Sequence, residues 1–168
     1  HAVADLPVPV IASIHGPCMG GGIAMALHAD IRVAADDAQF AVPPARLGIA
    51  YPAEAVARLV ALVGPGRAKL LLVSARVLDA EAALGHGLVD EVVPKAELDG
   101  HTHRLATGIA RLAPLSIRAA KLTVDALTTD RVEHTEAAAA VATCYDSNDF
   151  REGVQAFLEK RRPTFEGH

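Results

Sequence analysis

Cysteine is scarce in this sequence. Cys18 and Cys144 are the only two, and they have neither metal nor redox spacing. They read as free thiols, so the expected setting is a reducing cytosol. Long apolar runs are absent as well: none reaches the roughly 20 residues that a membrane span needs. The opening, His1-Ala2-Val3-Ala4-Asp5, has no basic region and no clean apolar core, so it does not read as a signal peptide. Positive charge is not in excess. The net charge of -4 disfavours non-specific binding to nucleic acid or membrane, although a local basic patch for a phosphorylated ligand is compatible with it. There are no low-complexity runs and no short repeats. What is there is apolar: 51% of 168 residues, enough for one domain with a real core.

The order of elements is legible from pattern. Pro9-Val10-Ile11-Ala12-Ser13-Ile14-His15 is continuous in apolar residues and predicts a buried strand, ended by Gly16-Pro17. Gly20-Gly21-Gly22 follows, then a short buried helix over 23–28. Ile31-Arg32-Val33-Ala34 and Gln39-Phe40-Ala41-Val42 predict two more strands, the second stopped by Pro43-Pro44. Helices are expected from Glu54 to Val63 and from Pro65 to Ser74, parted by Gly64. Asp79-Ala80-Glu81 opens a short helix expected to close before Gly85, and 88–93 predicts the last strand.

From Leu98 onward the pattern is helical only. Pro114 suits a helix start, where its missing N–H costs nothing, and Leu115, Ala119, Leu122 and Ala126 share one face. The last helix is expected to open at Asp149 with Glu152 as its capping-box partner, and to carry Phe150, Val154, Phe157 and Leu158 as an apolar stripe. The expected division is 1–97 as an α/β part and 98–168 as an all-helical part. The first strand has apolar residues for both faces but no partner strand before it. Part of the domain is therefore expected to lie upstream of this sequence.

The glycine cluster is the main chemical signal. A glycine-rich turn between strand and helix presents backbone N–H groups that can hold a phosphate or a developing oxyanion. The phosphate motifs fail in detail. A Walker A loop from Gly16 would need Lys where Gly22 stands, and a dinucleotide fingerprint on Gly20 would need a small residue at Met25. A tight turn that needs glycine for packing alone remains the plain alternative.

The segments around the cluster carry more. Pro9 to Gly16, Gly20-Gly21-Gly22, Ala29 to Ala34, Phe40 with Pro43, Leu47-Gly48, Val63-Gly64, Gly87-Leu88-Val89 and Phe157 to Arg161 occur in one order along the whole chain. Together they resemble the crotonase (enoyl-CoA hydratase/isomerase) family. The resemblance implies an α/β fold: a crotonase-like ββα spiral core followed by a helical C-terminal trimerisation region. It also implies an acyl-CoA thioester substrate, with coenzyme A as part of the substrate and no separate cofactor. A homotrimer or dimer of trimers is implied too. In such a site two backbone N–H groups hold the thioester oxygen as an enolate forms. Gly21 would supply one, and the other would lie upstream.

The hydratases of that family add two glutamates. The matching positions here are Ala24 and Pro44, and neither side chain can transfer a proton. Glu54 is the nearest other carboxylate, read either as an acid/base or as a helix N-terminal charge favoured by the dipole. The stretch Leu47-Gly48-Ile49-Ala50-Tyr51 and the chain's last residues look like the methylmalonyl-CoA decarboxylase branch. That branch also dispenses with both glutamates and uses a tyrosine at the position of Tyr51 to orient the substrate carboxylate. A rim or core tyrosine is the plain alternative for Tyr51.

The resemblance thus implies Gly21 and Tyr51 as catalytic residues, and Glu54 joins them as a candidate by its position alone. Gly20, Gly22, Ala24, Pro44, Phe157 and Lys160 would bind the acyl-coenzyme A. Lys160 opens the basic cluster Lys160-Arg161-Arg162, and Ala24 and Pro44 would form apolar walls. Three readings stay open: a malonyl-type decarboxylase, a hydratase or isomerase that uses Glu54 or an upstream group, and a degenerate acyl-CoA-binding scaffold. A nucleic-acid-binding relative would carry a comb of lysines, but the helix over 115–127 has only Arg118 and Lys121. His101 and His103 have no third ligand at metal spacing and read, like His134, as part of a solvated helix.

Overall fold

The computed structural model describes residues 3–168, so His1 and Ala2 of the opening segment lie outside the described residues. Contacts divide the chain into two compact units. One comprises residues up to Leu6 and Val10–His103; the other comprises Pro7–Pro9 and Arg104–His168.

Among the described residues, the first unit holds every strand, in two three-stranded sheets. Strand β1 (Ile11–Ile14) pairs in parallel with β3 (Ile31–Ala35), which pairs in parallel with β6 (Glu91–Val93). In the second sheet, β2 (Pro17–Met19) lies parallel to β4 (Gln39–Ala41), and β4 is antiparallel to β5 (Leu78–Asp79). The chain passes from one sheet to the other at a corner. Gly16 makes the first corner at φ 55°, a conformation that favours glycine, and its carbonyl accepts the Gln39 N–H at 3.1 Å. The next corner follows β3, where Ala38 N–H donates to Ala35 at 3.0 Å. Each winding therefore gives one strand to each sheet and then a helix: α1 (Gly21–Ala26) after β2, and α2 (Ala53–Ser74) after β4.

The four strands expected from pattern are present as β1, β3, β4 and β6, the last shortened to Glu91–Val93. Strands β2 and β5 were not expected, because three and two residues are too short to show a period. Within this chain β1 stands at a sheet edge beside β3, with Ile11 and Ala12 half-buried, which fits a strand whose other partner is expected upstream. Gly64 parts α2 as expected: its backbone leaves the helix at φ 77°, ψ 163°, and Pro65 starts the second half. Helix α3 (Ala80–His86) runs past the expected stop at Gly85. Its cap is Asp79, which accepts the Ala82 N–H at 2.8 Å, and its end is Gly87 at φ 76°. The left-handed residue, not the nearest glycine, ends this helix. The core of the unit gathers Phe40, Ile23, Leu59, Leu71, Val42 and Val89, all nearly inaccessible.

Polar pairs set the register of β3. The Asp30 carboxylate accepts the Val10 N–H at 2.7 Å. Arg32 is buried; its guanidinium donates to Ala29 O at 2.7 Å and to Asp90 at 2.9 Å, and Asp90 also accepts the Arg32 N–H. The segment Ala29-Asp30-Ile31-Arg32 is thus accounted for by strand pairing.

Helix α4 (Leu98–Ile109) spans the division between the units. The expected boundary at 97 falls six residues earlier, because the first turn of α4 is tied to the first unit. Leu98 is fully buried, Asp99 meets His15 at 3.1 Å, and His101 Nε2 meets Glu91 at 2.6 Å. His101 is therefore half-buried and paired, not solvated as expected. Among the described residues no group of His, Cys, Asp or Glu is arranged to hold a metal ion. No helix there is long and apolar enough to cross a membrane.

The second unit is helical: α5 (Pro114–Thr128), α6 (His134–Asp146) and α7 (Asn148–Glu159). Pro114 occupies the first turn of α5, and Ala119, Ala126 and Ala137 are buried as α5 packs on α6. The cap of α7 differs from the expected capping box. Ser147 is the N-cap and accepts the Phe150 N–H at 3.0 Å. Asp149 is buried and holds the chain end instead, accepting the N–H groups of Glu166 and Gly167 at 2.8 and 3.0 Å. Glu152 takes Arg161 through both oxygens, at 2.6 and 2.8 Å, and the Thr164 N–H at 2.9 Å. With Ser147 as N-cap, Glu152 is the fifth residue of the helix and not the third, and its partners lie past the C-terminus of α7.

Glu152 supports a pH prediction. The Arg161 guanidinium, with the Thr164 N–H, lowers its pKa from 4.5 to about 2. A depressed carboxylate stabilises the fold above its unfolded pKa, and that contribution is lost as pH falls through the folded value. The hold of Glu152 on residues 161–164 is therefore complete above pH 4.5 and lost on acidification toward about 2. The Thr164 amide resonance is expected to titrate with a midpoint near 2; a midpoint at 4.5 contradicts the pairing.

Candidate functional site

The glycine turn is built by β2, β4 and the start of α1. Gly20 precedes the helix at φ 52°, ψ -108°, on the positive-φ side that side chains rarely adopt. A Cβ there would meet nothing within 4 Å, so the need for glycine is conformational, not steric. The Gly20 N–H is anchored to Ala41 O at 3.1 Å, which fastens the turn to β4. The Gly20 carbonyl accepts two bonds, from the Ala24 N–H at 3.0 Å and from the Tyr51 hydroxyl at 2.8 Å.

The N–H of Gly21 makes no hydrogen bond among the described residues, and Gly21 is exposed. This amide is one of the helix N-terminal donors that has no partner within the helix. Gly22 is also exposed, and a Cβ on it would lie 3.7 Å from Cys18 Sγ. Cys18 is buried, which pushes its thiol pKa up. A cleft of about 360 Å³ follows β1 and the outer side of α1, touching Ala12, His15, Gly22 and Met25. It does not include Gly21 or Tyr51.

Ala24 contributes backbone here. Its N–H bonds the Gly20 carbonyl and lies close enough to the Tyr51 oxygen to act on it. Pro44 is buried in the 3-10 turn Pro44–Arg46, and its carbonyl accepts the N–H groups of Leu47 and Ile49 at 3.0 and 3.2 Å. It fixes the loop that delivers Tyr51. Gly48, at φ 67°, turns that loop.

Tyr51 is half-buried against the core. Burial raises its pKa; the neighbouring Cys18 adds to the rise, and the Ala24 N–H opposes it. The phenol is thus a neutral donor at physiological pH. Its proton goes to the Gly20 carbonyl of the glycine turn, whereas the resemblance implied a hydroxyl that orients the substrate carboxylate. Glu54 lies in the first turn of α2 with an exposed side chain.

The site residues named from sequence fall into both units. Gly20, Gly21, Gly22, Ala24, Pro44, Tyr51 and Glu54 lie in the first. Phe157 and Lys160 lie at the end of α7 in the second. Phe157 is 83% exposed and lines an apolar groove of about 790 Å³ formed by α5, α6 and α7 with Phe165. Lys160 ends the helix at φ 55°. The basic cluster is narrower than the sequence suggests, because Arg161 is engaged by Glu152 and Glu159. What the sequence did not disclose is the anchoring of Gly20 by Ala41 and Tyr51. Those partners lie 21 and 31 residues away, and only the fold brings them together.

The comparisons agree with this architecture. The enoyl-CoA hydratase/isomerase family profile matches residues 1–168. A carnitinyl-CoA dehydratase from Citrobacter koseri is 39% identical over 98% of this chain and 66% of its own. A crotonyl-CoA hydratase from Syntrophomonas wolfei is 39% identical over 94% of this chain and 61% of its own. The crystal structure of an enoyl-CoA hydratase/isomerase family protein from Hyphomonas neptunium superposes with a TM-score of 0.92 at 39% identity, covering 99% of this chain and 64% of that one. The chain thus spans about two thirds of the length of these relatives. With the two staggered sheets, the glycine turn before α1 and the helical C-terminal part, the chain belongs to the enoyl-CoA hydratase/isomerase, or crotonase, family.

Proposed function

We propose that this chain is part of an acyl-CoA enzyme that stabilises a thioester enolate, with the Gly21 N–H as one of the donors to the oxygen. The observation that carries this reading is that N–H itself: exposed, without a protein acceptor among the described residues, and held in place through the peptide it belongs to. An enolate oxygen is negative only during reaction, so a preorganised donor favours the transition state over the ground state.

The reaction we favour is decarboxylation of a malonyl- or methylmalonyl-type thioester. Ala24 and Pro44 supply no acid or base, and loss of carbon dioxide reaches the enolate without one. Coenzyme A serves only as the carrier within the substrate. A second reading is hydration or isomerisation with Glu54, or a residue outside this chain, as acid/base. The activities named for the dehydratase and hydratase relatives favour it. A scaffold that binds acyl-CoA without turning it over would not need the anchored glycine turn.

Full-length protein given malonyl-, methylmalonyl- and crotonyl-CoA, with carbon dioxide release read separately from hydration, tests the choice. Carbon dioxide from the first two alone supports decarboxylation. Hydration of crotonyl-CoA that is lost in Glu54→Gln supports the second reading. No turnover of any of the three, with binding retained, overturns both.

Self-association through the helical unit belongs to the same proposal. Tyr145, Phe150, Phe157 and Leu158 are 67, 48, 83 and 74% exposed around one groove, more apolar area than a monomer's surface usually shows. A trimer or hexamer is expected by light scattering, and a stable monomer at micromolar concentration contradicts it.

A further inference from the structure

The Tyr51 hydroxyl bonds one edge of the peptide unit whose opposite edge is the Gly21 N–H. The carbonyl that Tyr51 bonds is that of Gly20, and the amide it is conjugated with is that of Gly21. A trans peptide is planar and its C=O and N–H point in opposite directions. Whatever fixes the carbonyl therefore aims the N–H. Three devices fix it here. The Gly20 backbone angles, open only to glycine, set the plane; the Ala24 N–H closes the first turn of α1 on the oxygen at 3.0 Å; and the Tyr51 hydroxyl takes its remaining acceptor capacity at 2.8 Å. Rotating this peptide would break both bonds at once.

We propose that Tyr51 is a positioning residue for the oxyanion donor, acting on the Gly20 carbonyl to orient and polarise the Gly21 N–H rather than touching the acyl group. Two consequences follow from chemistry. A hydrogen bond to a peptide carbonyl draws electron density toward the oxygen and makes the N–H on the other edge a stronger donor, the cooperative effect of chained hydrogen bonds. The tyrosine also has a single proton, and it is committed to Gly20. A substrate carboxylate accepts but does not donate, so it gains no bond from this hydroxyl unless the Gly20 bond is given up. The inference rests on the proposed enolate-stabilising role of Gly21, and it holds whether the enolate arises by decarboxylation or by proton transfer.

The test uses butyryl-CoA labelled with carbon-13 at the thioester carbonyl, which has no carboxylate to lose and no double bond to hydrate. The readout is the carbonyl stretching frequency of the bound thioester in full-length protein. Wild type is expected to shift the band to lower frequency on binding. Tyr51→Phe is expected to reduce that shift while changing butyryl-CoA affinity by less than about threefold, and to lower turnover roughly tenfold or more at nearly constant KM. Thermal unfolding of the variant checks that it is folded. Should Tyr51→Phe not fold, 2,3-difluorotyrosine incorporated at position 51 keeps shape and hydroxyl but donates more strongly, and is expected to enlarge the shift. A full wild-type shift in Tyr51→Phe, or an unchanged shift with the fluorinated residue, overturns the inference. So does a loss confined to carboxylated substrates. No shift in wild type overturns the enolate reading beneath it, and the inference with it.

Discussion

Gly21→Leu is expected to lower turnover at least about a hundredfold while the protein stays folded. Gly21 has no positive φ, and a Cβ built on it meets nothing within 4 Å. It stands in the first turn of α1, where leucine is a better helix former than glycine. Backbone strain and packing therefore give no reason for unfolding. The damage is local. Side chains on a helix lean toward its N-terminus, so the leucine covers the amide edge that is to meet the thioester oxygen. Removal of one oxyanion donor costs on the order of 10² to 10³ in rate, and a covered donor falls in the same range. Steady-state turnover and a thermal melt, measured on the same preparation, decide the matter. Activity within tenfold of wild type removes Gly21 from the role; a collapsed melting transition shows that the turn was structural.

Phe40→Ala is expected to cost about 3–5 kcal/mol of stability, the usual range for truncating a buried phenylalanine. That is a large part of the roughly 5–15 kcal/mol that keeps a domain folded. Phe40 is 2% exposed and central to the second sheet, where it is paired with Cys18 of β2 on one side and Leu78 of β5 on the other. Its neighbour Ala41 accepts the Gly20 N–H, so a loosened β4 also frees the glycine turn. Denaturant titration should show a lower midpoint, and acyl-CoA turnover should fall with it in the folded fraction. An unfolding free energy within about 1 kcal/mol of wild type would mean that the sheet repacks around the missing ring.

The two expected results have different origins. Much of the fold was legible because the signals are local. Continuous apolar runs announced β1, β3 and β4; Gly64-Pro65 announced the break in α2; Pro114 announced the start of α5. Local signals failed where the deciding partner is distant. Asp149 and Glu152 look like a capping box, yet their carboxylates bind the backbone of residues 164–167, after the helix has ended. His101 looked solvated, but Glu91 reaches it from β6. Lys160-Arg161-Arg162 read as one basic cluster, and within it Arg161 is bound by two glutamates.

The candidate site divides in the same way. By itself the sequence determined the family, the glycine turn, the absence of acid/base side chains at Ala24 and Pro44, and the presence of a tyrosine near that turn. These depend on residue identity and order, which sequence records directly. The tertiary structure decided what Tyr51 does there. Hydroxyl direction depends on the path of the loop over Pro44 and Gly48 and on the plane of one peptide 31 residues earlier. No local pattern encodes that relation. It arises when β2 and β4 pair and bring the Gly20 carbonyl under the tyrosine, leaving the amide on its other edge free to donate.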